Sequence, residues 1–415
     1  MTTPSPAINA DRLNRTLKEL GRIGETPQGM QRLAFSPADV AGRDYTIALM
    51  RRAGLETRID PAGNIIGRRP GADPSLPAIA LGSHTDTVPN GGKYDGALGV
   101  MGAIEAVRTL VDQGVTLRHP VEVLAFTNEE GTRFHRWLLG SRAMAGLLEP
   151  EDLTAVDDEG VPLNDRLSDI GGDLGRIEAA RRKPGELAAY FELHIEQGPV
   201  LHQSRIPIGI VTGITGRAVF SVDLRGKANH AGTTPMTARH DALVYASRLV
   251  LAINRIAAEL EVCRVATVGH IQAHPNAVNV IPGRVSLGVE FRDERMPSLA
   301  AAEEEFRRAT AEIAGADGVV VAIEKLESTP SAPIPEPMQE LAAEAADRCG
   351  LAHQRLPSGA GHDAQAMAAI TSAAMIFVPS VDGISHSPEE FSTPGDCANG
   401  ANALINLLLL ADERL

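Results

Sequence analysis

The chain has 415 residues, of which 43% are hydrophobic and 22% charged, and a formal net charge of -14. That length exceeds one ordinary hydrophobic core and points to two or three domains, while the composition excludes a disordered, collagenous or membrane-spanning protein. The acidic balance and the lack of any Lys/Arg run exclude a nucleic-acid binder, since a phosphate backbone attracts basic patches.

The opening MTTPSPAINADRLNRTLKEL carries charges at Asp11 and Arg12 and lacks the apolar stretch of a secretory leader. No segment reaches the roughly 18 apolar residues of a membrane helix; ALINLLLLA, near the end, comes closest. Cys263, Cys349 and Cys397 are odd in number and far apart, and read as reduced thiols of a cytoplasmic protein.

Ser36-Pro37-Ala38-Asp39 supplies an N-cap, a proline at the first helical position and an acid three residues past the cap, and Gly54 is placed to close the helix. Short apolar runs then alternate with helical patterns: AIALGS (78–83), a helix from Ala97, VEVLAFT (121–127), a helix over 139–146 and AYFELHI (189–195). Strand, helix, strand in that order predicts a largely parallel sheet covered on both faces.

From about Gly213 the pattern changes. RVSLGVEFR puts Val285, Leu287, Val289 and Phe291 on one side and Ser286, Gly288, Glu290 and Arg292 on the other, as in a sheet with one exposed face. Strands over 217–225, 264–272, 284–293 and 319–326 and helices over 240–262 and 298–314 form a unit of their own, which the Pro-rich TPSAPIPEP (329–337) ends. A helix from Pro337, the strand AMIFVP (374–379) and a final helix restore the first style. The expected fold is α/β. A catalytic domain over 1–212 and 331–415, mostly parallel sheet with helices on both faces, is interrupted by a smaller α+β domain over 213–330.

Metal-type side chains fall at the ends of these buried strands, where α/β sheets build their sites. In GSHTDTV, His84 and Asp86 lie two apart on extended chain, so both point the same way and the carboxylate can accept the imidazole's second N–H. Alone, an H-x-D also suits a polar turn. Asp95 follows in PNGGKYDGALGV, where glycines at 91, 92, 96 and 99 leave room for a bridging acid or for a plain turn. Glu129 and Glu130 come directly after an apolar strand. Adjacent carboxylates repel unless a cation or a shared proton separates them, so one could ligate while the other works as a base; a solvated corner is the plainer alternative. His194 comes at the end of AYFELHI, and His386 sits in DGISHSPEE; each alone reads more readily as a structural histidine than as a ligand. Together, His84, Asp95, Glu130, His194 and His386 give acids and imidazoles without a thiolate, which suits a catalytic zinc, manganese, cobalt or nickel site.

These motifs resemble the hydantoinase/carbamoylase branch of the aminoacylase and carboxypeptidase-like dinuclear metallohydrolases. The likeness runs in the family's order through GSHTDTVPNGGKYDGALGV, NEEGTRF, GSRAMAG, ELHIEQGPVL, GKANHAGTTPM, NAVNVIPGR, SGAGHDAQ and GISHSPEE. The resemblance implies two divalent ions per subunit, zinc first and manganese, cobalt or nickel after it. His84 and His194 would hold one ion, Glu130 and His386 the other, and Asp95 would bridge them. Asp86 would orient His84, and Glu129 would be the general base that takes a proton from the attacking water and passes it to the leaving nitrogen.

In such enzymes the inserted domain is a lid and dimer surface. A lid histidine, here His230, reaches the partner subunit's site to stabilise the oxyanion, so a homodimer through the inserted domain is expected. Arg292, which by periodicity alone reads as a surface charge, would grip the substrate carboxylate as a planar fork with help from Asn279 and Gln197. Gly361 would bring backbone close to substrate, beside His362 in the pocket wall; His119, His135, His202, His240, His270, His274 and His353 would be solvated or structural.

The implied reaction is hydrolysis of an N-carbamoyl-L-amino acid to the amino acid, carbon dioxide and ammonia, because KYDGALGV and GSRAMAG are most like the carbamoylases. Allantoate amidohydrolase and β-ureidopropionase are the near alternatives, since all three substrates carry a ureido group and a carboxylate. An aminoacylase or peptidase is more distant. A non-catalytic metal-binding module has no use for Glu129. The expected partner is a small ureido acid, with no nucleic acid and no membrane.

Overall fold

The computed structural model describes residues 6–314 and 318–415. The chain folds as two units, one formed by residues up to Thr212 together with Ile334–Leu415, the other by Gly213–Pro333.

The first unit is built on a nine-stranded sheet. Eight strands follow the order Ala332–Pro333, Ile208–Ile214, Ser372–Val378, Leu187–Ile195, Ala78–His84, Val121–Phe126, Ile65–Arg69 and Glu56–Ile59, and His353–Ser358 pairs with Ile208–Ile214 off this path. The four strands from Ser372–Val378 to Val121–Phe126 are parallel to one another. Ala78–His84 and Val121–Phe126 are buried at every position, as two covered faces demand. This parallel centre is the expected one, and the strands flanking it are antiparallel, so the sheet as a whole is mixed. Its edge hairpin, Glu56–Ile59 with Ile65–Arg69, turns through Asp60, whose carboxylate accepts the amides of Ala62 and Asn64, both at 2.9 Å.

The helices start where their caps place them. Ser36 Oγ accepts the Asp39 amide at 3.1 Å, Pro37 opens Pro37–Arg52, and Gly54 follows in the left-handed region at φ +80°. Ala97–Asp112 is apolar nearly all round and is buried accordingly, and the last helix, Pro394–Arg414, packs against it. Among the described residues no helix is long and apolar enough to cross a membrane.

The second unit is a four-stranded antiparallel sheet in the order Val265–His274, Arg284–Asp293, Gly216–Arg225, Val320–Thr329. Val285, Leu287, Val289 and Phe291 are buried with Phe220 and Phe306 in one core, to which the helix Ala242–Ala258 contributes Leu249, Ile253 and Ile256. The intervening Ser286, Gly288, Glu290 and Arg292 are half-buried on the opposite face.

Candidate metal centre and active site

Neighbouring parallel strands of the first unit end together. His84 closes Ala78–His84, paired with Phe126 on one side, and His194 lies one residue before the end of Leu187–Ile195. Beyond Phe126 the chain turns at Asn128, in the left-handed region at φ +52°, and delivers Glu129 and Glu130. The amides of Glu129 and Glu130 donate to Asp86 Oδ1 at 3.2 Å and Oδ2 at 3.3 Å. This differs from the role expected of Asp86. Its carboxylate holds the glutamate turn and stands 3.8 Å from His84 Nδ1, and the imidazole meets the Asp86 backbone carbonyl at 3.0 Å instead. A carboxylate answering two amides is well satisfied, and the nearer carbonyl still puts the ring proton on Nδ1.

Both inner histidines therefore turn Nε2 inward. His194 Nδ1 meets the Ile195 carbonyl at 2.9 Å. Its Nε2 stands 3.2 Å from Asp95 Oδ1, while His84 Nε2 stands 3.4 Å from the same oxygen and 3.6 Å from Glu129 Oε2. The other oxygen of Asp95 faces elsewhere: Oδ2 is 3.3 Å from His386 Nε2, which is 3.6 Å from Glu130 Oε2. Two ligands held by one tetrahedral ion at zinc-like bond lengths stand about 3.4 Å apart, and these separations bracket that value. Candidate ligand atoms within 4.8 Å of one another come from His84, Asp95 and His194, and again from Asp95, Glu130 and His386, so that Asp95 belongs to both groups. His84 with Glu129 and Glu130, and Glu192 with His194 and His362, form two further groups.

The electrostatics are those of a site short of positive charge. Asp86, Asp95, Glu129, Glu192, Asp363 and Glu390 are all buried, and Glu130 Oε1 has no hydrogen-bond partner among the described residues. Burial, then the nearby Glu130, Asp363 and Asp86, push the Glu129 carboxyl well above its usual range, although His84 opposes them. Burial and then Asp95 raise Glu130 to about 8. Burial acts on Asp95 too, yet His194, His386 and His84 outweigh it and hold that carboxyl well below the carboxylate range. His386 is raised to about 9, chiefly by its bond to Asp95. Divalent cations fit this donor set, since they would neutralise the carboxylates and occupy the inward Nε2 atoms together.

Glycine makes the packing possible. Gly96, at φ +62°, lies so close to His84 that a Cβ there would come within 2.4 Å of the ring. The buried Arg32 guanidinium donates from Nε to the Thr85 carbonyl at 2.6 Å and from Nη1 to the Leu20 carbonyl at 2.8 Å, fixing the chain just after His84.

Other expected residues are placed less simply. Gln197 donates from Nε2 to Asp95 Oδ2 at 2.7 Å, among the candidate ligands. Gly361 packs against Trp137, whose indole a Cβ would meet at 2.0 Å. His362 is buried, 2.7 Å from Ser358 Oγ, with its ring 4.5 Å from that of His194. Burial first, and then His194, press its pKa well below that of a free imidazole, so the ring is neutral. His230, Asn279 and Arg292 belong to the second unit. There Asn229–His230 pairs with Val280–Ile281, and the Asn279 carbonyl accepts the Ala231 amide at 2.9 Å. His230 Nδ1 accepts the amides of Gly232 at 3.0 Å and Thr233 at 3.3 Å, which leaves the proton on an exposed Nε2. Arg292 donates to Glu290 Oε1 from Nε at 2.9 Å.

Sequence reasoning missed Glu192, Asp363 and Glu390. Glu192 accepts from Ser83 Oγ at 2.7 Å and from the Ala364 amide at 2.8 Å. Asp363 had a signal beside it, the His362 already singled out, and Glu192 had one too, lying two residues before His194 on the same strand.

A family model described as peptidase family M20/M25/M40 matches residues 80–410. The chain is 42% identical over 398 residues to an N-carbamoyl-L-amino acid amidohydrolase of Geobacillus stearothermophilus, covering 96% of this chain and 97% of that one. It is 37% identical over 409 residues to a ureidoglycolate hydrolase of Arabidopsis thaliana, covering 96% of this chain and 86% of that one. The solved structure of an amidase of the hydantoinase/carbamoylase family from Burkholderia multivorans superposes with a TM-score of 0.90 at 40% identity, over 98% of this chain and 99% of that one. With a matching family model across most of its length and near-full-length relatives on the same fold, the chain belongs to peptidase family M20/M25/M40, in the hydantoinase/carbamoylase branch, and is a hydrolase acting on C–N bonds other than peptide bonds.

Proposed function

We propose that the chain cleaves N-carbamoyl-L-amino acids with two divalent ions per subunit, zinc in the first instance. The observation that carries this reading is Asp95, whose two oxygens face separate histidine groups at 3.2 to 3.4 Å while Glu129 Oε2 stands beside the first of them, 3.6 Å from His84 Nε2. His84 and His194 would hold one ion, Glu130 and His386 the other, with Asp95 between. Bound there, the ions would lower the pKa of water and polarise the carbamoyl oxygen.

The chain's own groups account for the rest. Glu129 Oε2 accepts a proton from the attacking water and returns it to the leaving nitrogen. Water adds at the carbamoyl carbon, the bond to the α-nitrogen breaks, and the amino acid leaves; the carbamate that remains falls to carbon dioxide and ammonia. His230 donates from Nε2 to the oxygen that gains charge, across a homodimer built on the second unit, and Arg292 grips the substrate carboxylate once Glu290 yields to it.

The relatives are named for carbamoyl amino acids, ureidoglycolate and allantoate, so the decisive experiment is a substrate panel. Metal-loaded protein is offered N-carbamoyl-L-methionine, N-carbamoyl-β-alanine, allantoate and ureidoglycolate, and ammonia release is followed before and after chelation. Preference for N-carbamoyl-L-methionine is expected; indifference to it beside turnover of allantoate or ureidoglycolate overturns the substrate assignment.

A further inference from the structure

We infer that Glu390 is a positioning residue that sets the reach of His386 toward Asp95, and so governs the affinity for the ion held by Asp95, Glu130 and His386. The inference rests on the two-ion reading above. The candidate ligands are mounted unequally. His84 and His194 sit at the ends of strands and are held in register there, His84 opposite Phe126 and His194 opposite Phe377. His386 sits on the loop between Val378 and Pro394, at φ +54°, with its side chain about half exposed. A ligand on a loop needs an outside constraint to hold a metal distance to a few tenths of an ångström.

Glu390 supplies it. Its buried carboxylate accepts the Tyr94 amide at 2.9 Å and the Asp95 amide at 3.1 Å through Oε1, and the Ser385 hydroxyl at 2.9 Å through Oε2. Ser385 Oγ is also 3.1 Å from Asp95 Oδ2. Four residues from His386 on one side and at the backbone of Asp95 on the other, Glu390 fastens the two halves of the site together without offering a ligand. Gly92 makes the room, because a Cβ there would come within 2.1 Å of the Glu390 carboxylate.

The test compares wild type, Glu390→Ala and Glu390→Gln by titrating Zn2+ alone against a chromogenic chelator, with thermal melts of each metal-free protein. Gln keeps the Oε1 acceptor for both amides, and its Nε2 can donate to Ser385, so it is expected to behave as wild type. Ala is expected to weaken one of two equivalents by roughly 10- to 100-fold, the range for outer partners of a metal site, and to leave the other unchanged. Should Glu390→Ala fail to fold, Glu390→Asp, too short to span both contacts, takes its place with the same expectation. Equal weakening of both equivalents, no weakening, or a Gln variant as impaired as Ala overturns the inference. Wild type that binds no pair of ions removes the two-ion reading itself, an outcome distinct from a wild type that binds two and an Ala variant that matches it.

Discussion

Gly96→Ala is the sharpest single perturbation of the proposed metal centre, because the added atom meets a candidate ligand directly. Gly96 has φ +62° and ψ -45°, a combination that L-residues avoid, which alone costs about 1–3 kcal/mol. The new Cβ would lie 2.4 Å from Cε1 and Nε2 of His84, whereas carbon contacts settle near 3.5–4.0 Å. The ring must therefore retreat by roughly 1 Å, and His84 is buried with no open side to enter. A displacement of that size exceeds the tolerance of a metal bond several-fold and is expected to cost about 100-fold in turnover. The assay is metal content after desalting, measured beside kcat and the melting temperature of the metal-free protein. Two ions per chain and wild-type turnover in Gly96→Ala would refute the placement of His84 as a ligand.

Glu129→Gln should keep its metal content and lose roughly two to four orders of magnitude in kcat, the scale of a removed general base; turnover near wild type removes Glu129 from the proton transfer. His230→Ala should lower kcat with metal content and melting temperature unchanged, and an unaltered kcat would withdraw the oxyanion role. Chelation should abolish ammonia release and lower the melting temperature, with recovery on adding Zn2+ or Mn2+; an ion present at 100 times its Kd stabilises by about 2.7 kcal/mol. Asp157 offers a pH test away from the site. Burial opposes its ionisation, but the Val161 amide, Arg133 and Arg166 win and bring its pKa from 3.8 down to about 2. A depressed carboxylate stabilises above its unfolded pKa, and that contribution fades as pH falls from 3.8 toward 2. Asp157→Asn should therefore be less stable than wild type at neutral pH, with the gap closing across that window in denaturant titrations; a gap independent of pH would contradict the assignment.

The central strands were legible because burial on both faces leaves a largely apolar run, as in AIALGS and in VEVLAF with its single Glu122, and runs that short suit a buried strand better than a buried helix. The edge hairpin was not. Glu56–Ile59 is short, mostly exposed and charged, and only its pairing with Ile65–Arg69 makes it a strand. The first helix, Ala10–Leu20, could have been found from Asn9 as its cap and from Leu13, Leu17 and Leu20 on one face. At the site, the short-range part could be read: His84 and His194 lie at strand ends, and Asp95, Glu129, Glu130 and His386 in loops beyond strands. What linked them could not. The Glu390 contact to the Asp95 amide spans 295 residues, and no local pattern announces which of two adjacent glutamates turns inward. Asp86 meets His84 through its carbonyl rather than its carboxylate for a related reason, since i to i+2 spacing fixes a direction but not which of two competing donors is nearer the carboxylate.

The two places where the chain enters and leaves the second unit lie side by side, Ile214 opposite Ala332 and Gly213 opposite Pro333 in antiparallel register. Such a pair is the stem of a hairpin whose head happens to be more than a hundred residues long. A short turn in place of that head would keep the two strands of the stem in the same antiparallel register.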